Sequence, residues 1–246
     1  MELSDCSITW LGHSTVQIDL DGVRILTDPV LRRRVSHLVR TGPPPPAPQL
    51  PEVVLISHGH LDHLDFPSLA RFPRETLVAV PQGLGQLVVR KGFRNVRELV
   101  VGATFEVGPV TVRATPAEHG GGKPLPGRSR NTIGYVLTGS ASVFFAGDTD
   151  LFDGMAGLGE IELALLPVAG WGPRLPPGHL DPARAAEALA LIRPRIAIPI
   201  HWGTYAPWRP SPGDDTPALE FATKAATLAP DVEVRVLRPG DTTSFD

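Results

Sequence analysis

Three of the chain's eight histidines fall within six residues, in Ser57-His58-Gly59-His60-Leu61-Asp62-His63, with an aspartate ahead of the last. A neutral imidazole is a good zinc ligand, and a neighbouring carboxylate supplies charge for a second cation. One residue apart, His58 and His60 can aim at one ion, while Asp62 and His63 can aim at another. A His-rich solvated loop is the bland alternative, but the donor types and their spacing follow metal chemistry. The run before the motif, Val53-Val54-Leu55-Ile56, is short, apolar and β-branched, as a buried strand would be. The histidines therefore sit on the turn leaving a strand, where function collects in α/β folds.

The motif resembles that of the metallo-β-lactamase superfamily, in which later strand ends supply a histidine, a bridging acid and a last histidine. This chain offers all three in that order. His119 follows the strand-like Val110-Thr111-Val112-Arg113-Ala114, Asp148 ends the apolar run in Val143-Phe144-Phe145-Ala146-Gly147-Asp148-Thr149, and His201 ends Ile196-Ala197-Ile198-Pro199-Ile200. A lone Gly-Asp or strand-end histidine says little; the ordered set of seven says much.

Further segments narrow the resemblance to the branch of N-acyl-phosphatidylethanolamine phospholipase D and the ascorbate-6-phosphate lactonase. They are Trp10-Leu11-Gly12-His13-Ser14, Thr27-Asp28-Pro29, Ala146-Gly147-Asp148-Thr149, Leu165-Leu166-Pro167-Val168, His179-Leu180-Asp181-Pro182 and Ile200-His201-Trp202-Gly203-Thr204. The pattern departs at Gly59, where that branch usually has an asparagine. A lactamase of this ligand type would carry cysteine where Asp148 stands, and Cys6 is too early to serve. A glyoxalase-type thioesterase would bring more helix after His201, and a ribonuclease a basic exosite.

The elements that must position these residues read as strands separated by short helices. Val16 to Leu20 and Val23 to Leu26 form a hairpin about Asp21-Gly22, with His13 in an interruption that is either a plain bulge or part of the site wall. Asp28 ends the return strand as a turn cap or as a hydrogen-bond partner of a ligand histidine. Short helices are expected after Asp65 and over 83–91, and strands over 76–80 and 96–101. Hairpins are expected over 104–114 and 133–145, and a buried strand over 161–168. Asp181 and Pro182 cap a strong helix over 183–191. A last helix over 216–229 and a strand over 232–237 close the chain. The proline run Pro43-Pro44-Pro45-Pro46 is an extended surface loop. Residues 120–130, rich in Gly and Pro, carry Lys123, Arg128 and Arg130, and point to an anionic substrate. Trp171 and His179 are further candidates for the substrate pocket, His179 because it stands just ahead of a helix N-terminus.

Composition fits one α/β domain over residues 1–246: 42% hydrophobic, 20% charged and a net charge of −3, with no call for nucleic acid. With Cys6 the single cysteine, no internal disulfide can form. Neither a signal peptide nor a transmembrane run is legible, so a cytoplasmic protein is the expectation, with a small-molecule substrate and room for homo-oligomerisation.

The resemblance implies a four-layer αβ/βα sandwich and a dinuclear hydrolase. His58, His60 and His119 would hold one ion, Asp62, His63 and His201 the other, and Asp148 would bridge them. Two divalent ions are expected, zinc first, with manganese or iron also suited to a thiolate-free set. A water activated between them would attack a phosphodiester, ester or lactone, with Asp62 and Asp148 as the catalytic carboxylates. A di-iron oxidoreductase on the same scaffold would replace a motif histidine by glutamate and add a flavin domain. A non-catalytic, metal-stabilised binding protein would have lost ligands.

Overall fold

A computed structural model describes residues 6–120, 131–169, 175–208 and 214–245. Two seven-stranded mixed sheets share one apolar core, and they repeat the same plan. In the first, Thr242–Ser244, Cys6–Gly12, Thr15–Leu20 and Val23–Thr27 are antiparallel neighbours. Val53–Leu55, Leu77–Pro81 and Val96–Leu99 then continue in parallel. In the second, Thr104–Val107, Val110–Pro116, Ile133–Thr138 and Ser142–Phe145 are antiparallel, followed by parallel Leu163–Pro167, Ile196–Ile200 and Glu233–Val234.

Strand alternation divides the burial. Val53, Leu55 and Ala79 face the core shared by the sheets, while Val54, Ile56, Val78 and Val80 face away into a separate cluster. Helices α1 (Phe66–Leu69) and α2 (Gly85–Val89) cover that outward face with Leu69 and Val88. Helices α3 (Pro182–Ile192) and α4 (Thr216–Leu228) pack on each other and sink Ala185, Leu189 and Phe221 into the main core. Each fully buried Leu, Ile, Val or Phe removes apolar area worth about 1.5–3 kcal/mol from water. The layers are therefore helices, sheet, sheet, helices, as the resemblance implies.

Helix starts follow the expected chemistry. Asp181 is the N-cap of α3, accepting from the backbone N–H of Arg184 at 2.8 Å, and Pro182 opens the helix. Asp65 caps α1 and is held in turn by Arg32, whose Nε and Nη2 donate to its two oxygens at 2.9 and 2.6 Å.

Several elements differ from expectation. The strand expected over 232–237 pairs only at Glu233–Val234. Beyond it Arg235 donates to Thr243 Oγ1 at 2.9 Å, and the chain turns at Gly240, φ +103°, to return as Thr242–Ser244 on the first sheet. A small third sheet joins Arg34–Val35, Leu38–Arg40 and Tyr205–Pro207 and ties the segment before the proline run to the one after His201. No helix among the described residues is long and apolar enough to cross a membrane.

Candidate metal centre

The candidate residues lie on segments that leave strands of both sheets. His58 follows Val53–Leu55, Asp148 follows Ser142–Phe145, His119 follows Val110–Pro116 and His201 follows Ile196–Ile200. Gly147 permits the close approach of the two sheets' loops: its φ is +63°, and a Cβ there would lie 2.6 Å from that of Ser57.

Two groups of donor atoms result. His58 Nε2, His60 Nδ1 and His119 Nε2 converge, with His60 Nδ1 at 2.9 Å from His58 Nε2 and 3.3 Å from His119 Nε2. Asp62, His63 and His201 form the second group together with His13. Asp148 stands between the groups. Its Oδ1 is 3.2 Å from His201 Nε2, and its Oδ2 is 3.2 Å from His63 Nε2 and 4.0 Å from His58 Nε2.

The outer nitrogens fix which way the inner ones face. His201 Nδ1 lies 2.7 Å from the Ala169 carbonyl and His119 Nδ1 lies 2.9 Å from that of Gly178. A carbonyl can only accept, so both Nδ1 atoms carry the proton and both Nε2 atoms keep a lone pair. Asp28, fully buried, does the same for two more rings. Its Oδ2 accepts from His63 Nδ1 at 2.7 Å and from the Ser57 hydroxyl, whose oxygen faces His58 Nδ1 at 3.0 Å. Its Oδ1 accepts from the Ser57 backbone N–H at 2.7 Å. Four imidazoles thus turn Nε2 lone pairs inwards.

Two of those nitrogens, and one oxygen of the acid between them, lack hydrogen-bond partners. Among the described residues, His63 Nε2, His201 Nε2 and Asp148 Oδ1 are buried polar atoms with no partner. Leaving such atoms dry costs about 1–3 kcal/mol each. Convergent imidazole nitrogens with carboxylate oxygens, their outer atoms already satisfied, are the donor set of a divalent cation, and the residues present fit one.

The electrostatics agree. Burial, reinforced by its histidine neighbours, holds His58 well below the ordinary imidazole value and also lowers His60. Burial takes His201 down to about 3 against the pull of Asp148. These rings stay neutral and able to ligate. Burial opposes a charge on His63, but the Asp148 and Asp28 carboxylates outweigh it and raise His63 well above its usual value. Asp148 is held well below the carboxylate range: desolvation works against ionisation, and its close contacts with His201, His63 and His179 overcome it. Asp62 behaves alike through its hydrogen bond to His13 and the charge of His63, again against desolvation.

Of the residues singled out from the sequence, His13 lies beside Asp62, its Nε2 3.2 Å from Asp62 Oδ2, just past a register shift between the first two strands. Asp28 sits behind His63 and is more than a turn cap. His179 reaches Asp148, Nε2 to Oδ2 3.4 Å, with Nδ1 donating to the Pro176 carbonyl at 3.0 Å. Burial lowers its affinity for a proton, but the Asp148 contact more than restores it. Lys123, Arg128, Arg130 and Trp171 lie outside the described residues. Sequence reasoning missed the orienting Ser57 hydroxyl, although it lies inside the motif, and the carbonyls of Ala169 and Gly178. A backbone acceptor leaves no mark in residue type.

The family model of the β-lactamase superfamily domain matches residues 23–202. A UPF0173 metal-dependent hydrolase of Methanopyrus kandleri is 36% identical over 244 residues, covering 95% of this chain and 97% of that protein. N-acyl-phosphatidylethanolamine-hydrolyzing phospholipase D 1 of Caenorhabditis elegans is 34% identical over 226 residues, 80% of this chain and 64% of that one. Among solved structures, Igni18, a metallo hydrolase of Ignicoccus hospitalis, superposes with a TM-score of 0.73 at 25% identity over 98% of each chain. On the matched domain and this near-full-length likeness, the chain belongs to the metallo-β-lactamase superfamily and is a metal-dependent hydrolase.

Proposed function

We propose that this chain is a dinuclear hydrolase of phosphodiesters, with related esters and lactones as secondary substrates. The observation that carries the dinuclear reading is the pair of donor groups with Asp148 between them, its oxygens 3.2 Å from nitrogens of His63 and His201 and one of them 4.0 Å from His58. His58, His60 and His119 would hold one ion and Asp62, His63 and His201 the other, with Asp148 common to both. Two bound dications would supply Lewis acidity, lowering the pKa of water and stabilising negative charge on a substrate oxygen.

The chain's own groups do the rest. Asp28, Ser57 and the Ala169 and Gly178 carbonyls keep the ligand tautomers fixed, so no reorganisation is needed as charge develops. Asp62 is the more exposed carboxylate of the pair and is placed to orient an attacking water. His179, at the edge of Asp148, is the described side chain best placed to meet the substrate. Zinc suits the nitrogen-rich first group, and manganese or iron is compatible with the second.

The phosphodiester preference draws support from the C. elegans relative, whose name specifies a phospholipase D. The cations of the 120–130 segment are read as serving the anionic substrate. We read the chain as one domain, because its last strand completes its first sheet, and as a cytoplasmic protein, on sequence grounds.

The test is hydrolysis of bis(p-nitrophenyl) phosphate beside a neutral p-nitrophenyl ester and a simple lactone, with protein stripped by chelator and reloaded. Activity on the diester that is lost on stripping and returns with metal supports the proposal. A fully loaded protein that cleaves only the lactone or the neutral ester would overturn the substrate class.

A further inference from the structure

His13 adopts a backbone conformation that a non-glycine residue rarely takes. Its φ of +55° lies in the left-handed region, at a cost of about 1–2 kcal/mol. Four hydrogen-bonding neighbours hold it there. Its N–H donates to Thr204 Oγ1 at 2.8 Å, its carbonyl accepts from Trp10 Nε1 at 2.9 Å and from the His201 N–H at 3.0 Å, and its Nε2 meets Asp62. The ring is buried and lies against that of His201, centroids 3.9 Å apart. So many constraints fix the ring, not merely the turn.

The atom so fixed is Nε2, 3.2 Å from Asp62 Oδ2. The same spacing separates His63 Nε2 from Asp148 Oδ2 and His201 Nε2 from Asp148 Oδ1, at 3.2 Å each. Donor atoms of His13, Asp62, His63 and His201 all lie within 4.8 Å of one another. Donors on opposite sides of one ion, each bonded at up to about 2.2 Å, would stand about 4.4 Å apart, so a small closure brings all four onto a common centre.

We propose that His13 is a direct ligand of the second ion, so that this site takes His13, Asp62, His63, His201 and a share of Asp148. This rests on the dinuclear reading above. The first site then has His58, His60, His119 and the other share of Asp148. The two sites are unequal as a result. Four protein donors suit tetrahedral zinc, whereas five with a water make the six-coordinate shell that manganese and iron accept. The second site should therefore select manganese or iron from a mixture in which the first takes zinc.

The test uses the full chain titrated with Co2+, followed by proton NMR of the contact-shifted, exchangeable imidazole N–H signals. Each coordinated histidine contributes one. At saturation the wild-type protein should show a signal for each of His13, His58, His60, His63, His119 and His201. His13→Gln, which keeps an N–H donor for Asp62 but has no imidazole, should lose one signal and bind the second equivalent at least ~10-fold more weakly. Two bound ions with no signal from His13 in the wild type would overturn the assignment and leave His13 as a hydrogen-bond donor to Asp62. Uptake of a single ion by the wild type would overturn the dinuclear reading, and this inference with it. The wild-type count needs no variant to fold.

Discussion

Asp28 Oδ2 accepts from His63 Nδ1 at 2.7 Å in a wholly buried pair, and the same carboxylate, through Ser57, also faces the outer nitrogen of His58. One acid thereby orients a histidine of each donor group. An asparagine there would place an amide where two donors must be received. Asp28→Asn is expected to lower affinity for both ions by roughly 10–100-fold. Competition against a chromophoric chelator measures this, and unchanged affinity would mean that the rings orient themselves.

Metal-free protein should be most stable near pH 6.5, the ordinary histidine value. His58, His60 and His201 have lowered values, His201 to about 3, so below pH 6.5 the unfolded chain takes up protons that the folded chain refuses. Stability falls with pH there. His63 and His179 have raised values, so their contribution is complete below pH 6.5 and is lost as pH rises through their folded values. Thermal melts of chelator-treated protein across pH 4 to 9 should trace a dome. A profile still rising above pH 7.5 would contradict the raised value of His63.

On the dinuclear proposal, Asp148→Asn would remove the charge that offsets two dications. The protein should fold, because the shared core does not depend on this residue, but hydrolysis should fall by about three orders of magnitude, of the size expected when electrostatic stabilisation is lost. Elemental analysis should show fewer than two ions per chain. Full activity would mean that another group bridges.

Neutralising Arg128 and Arg130 to Gln should raise KM for a phosphodiester and leave a neutral ester little changed. Charge-assisted contacts are worth about 1.5–3 kcal/mol when desolvated and far less in the open, so an increase of about 3- to 30-fold is expected. Equal loss on both substrates would remove these cations from substrate recognition.

Gly147→Ala tests the approach of the two sheets. A methyl 2.6 Å from the Ser57 Cβ, at φ +63°, must push Ser57 or Asp148 aside. A loss of about 1–3 kcal/mol is expected in denaturant titration, together with weakened metal binding. Unchanged binding would show that the loops yield elsewhere.

The metal-site candidates were legible because imidazole and carboxylate are scarce, and their spacing after β-branched runs reveals both donor and scaffold. Val53 to Ile56, Ser142 to Phe145 and Ile196 to Ile200 announce themselves by composition. Asp28 was half legible: its place after a strand was plain, but whether it capped a turn or served a histidine depended on a partner far along the chain. The third sheet escaped because Arg34–Val35 and Tyr205–Pro207 are too short to show a period. The last strand escaped because Thr242–Ser244 carries no apolar residue, and only its neighbour Cys6–Gly12 makes it a strand.

That last strand sets a temporal order on the whole chain. Ser7 pairs with Ser244, and Trp10, three residues before His13, exchanges backbone hydrogen bonds with Gly240 and Asp241. During synthesis the strand leading into His13 emerges long before Thr242–Ser244 and keeps a bare edge until that segment arrives. Such remote closure slows folding and leaves an edge open to wrong partners meanwhile. The seam that finishes the sheet thus also delivers one wall of the metal centre, so ions would be captured tightly only by chains that have already closed upon themselves.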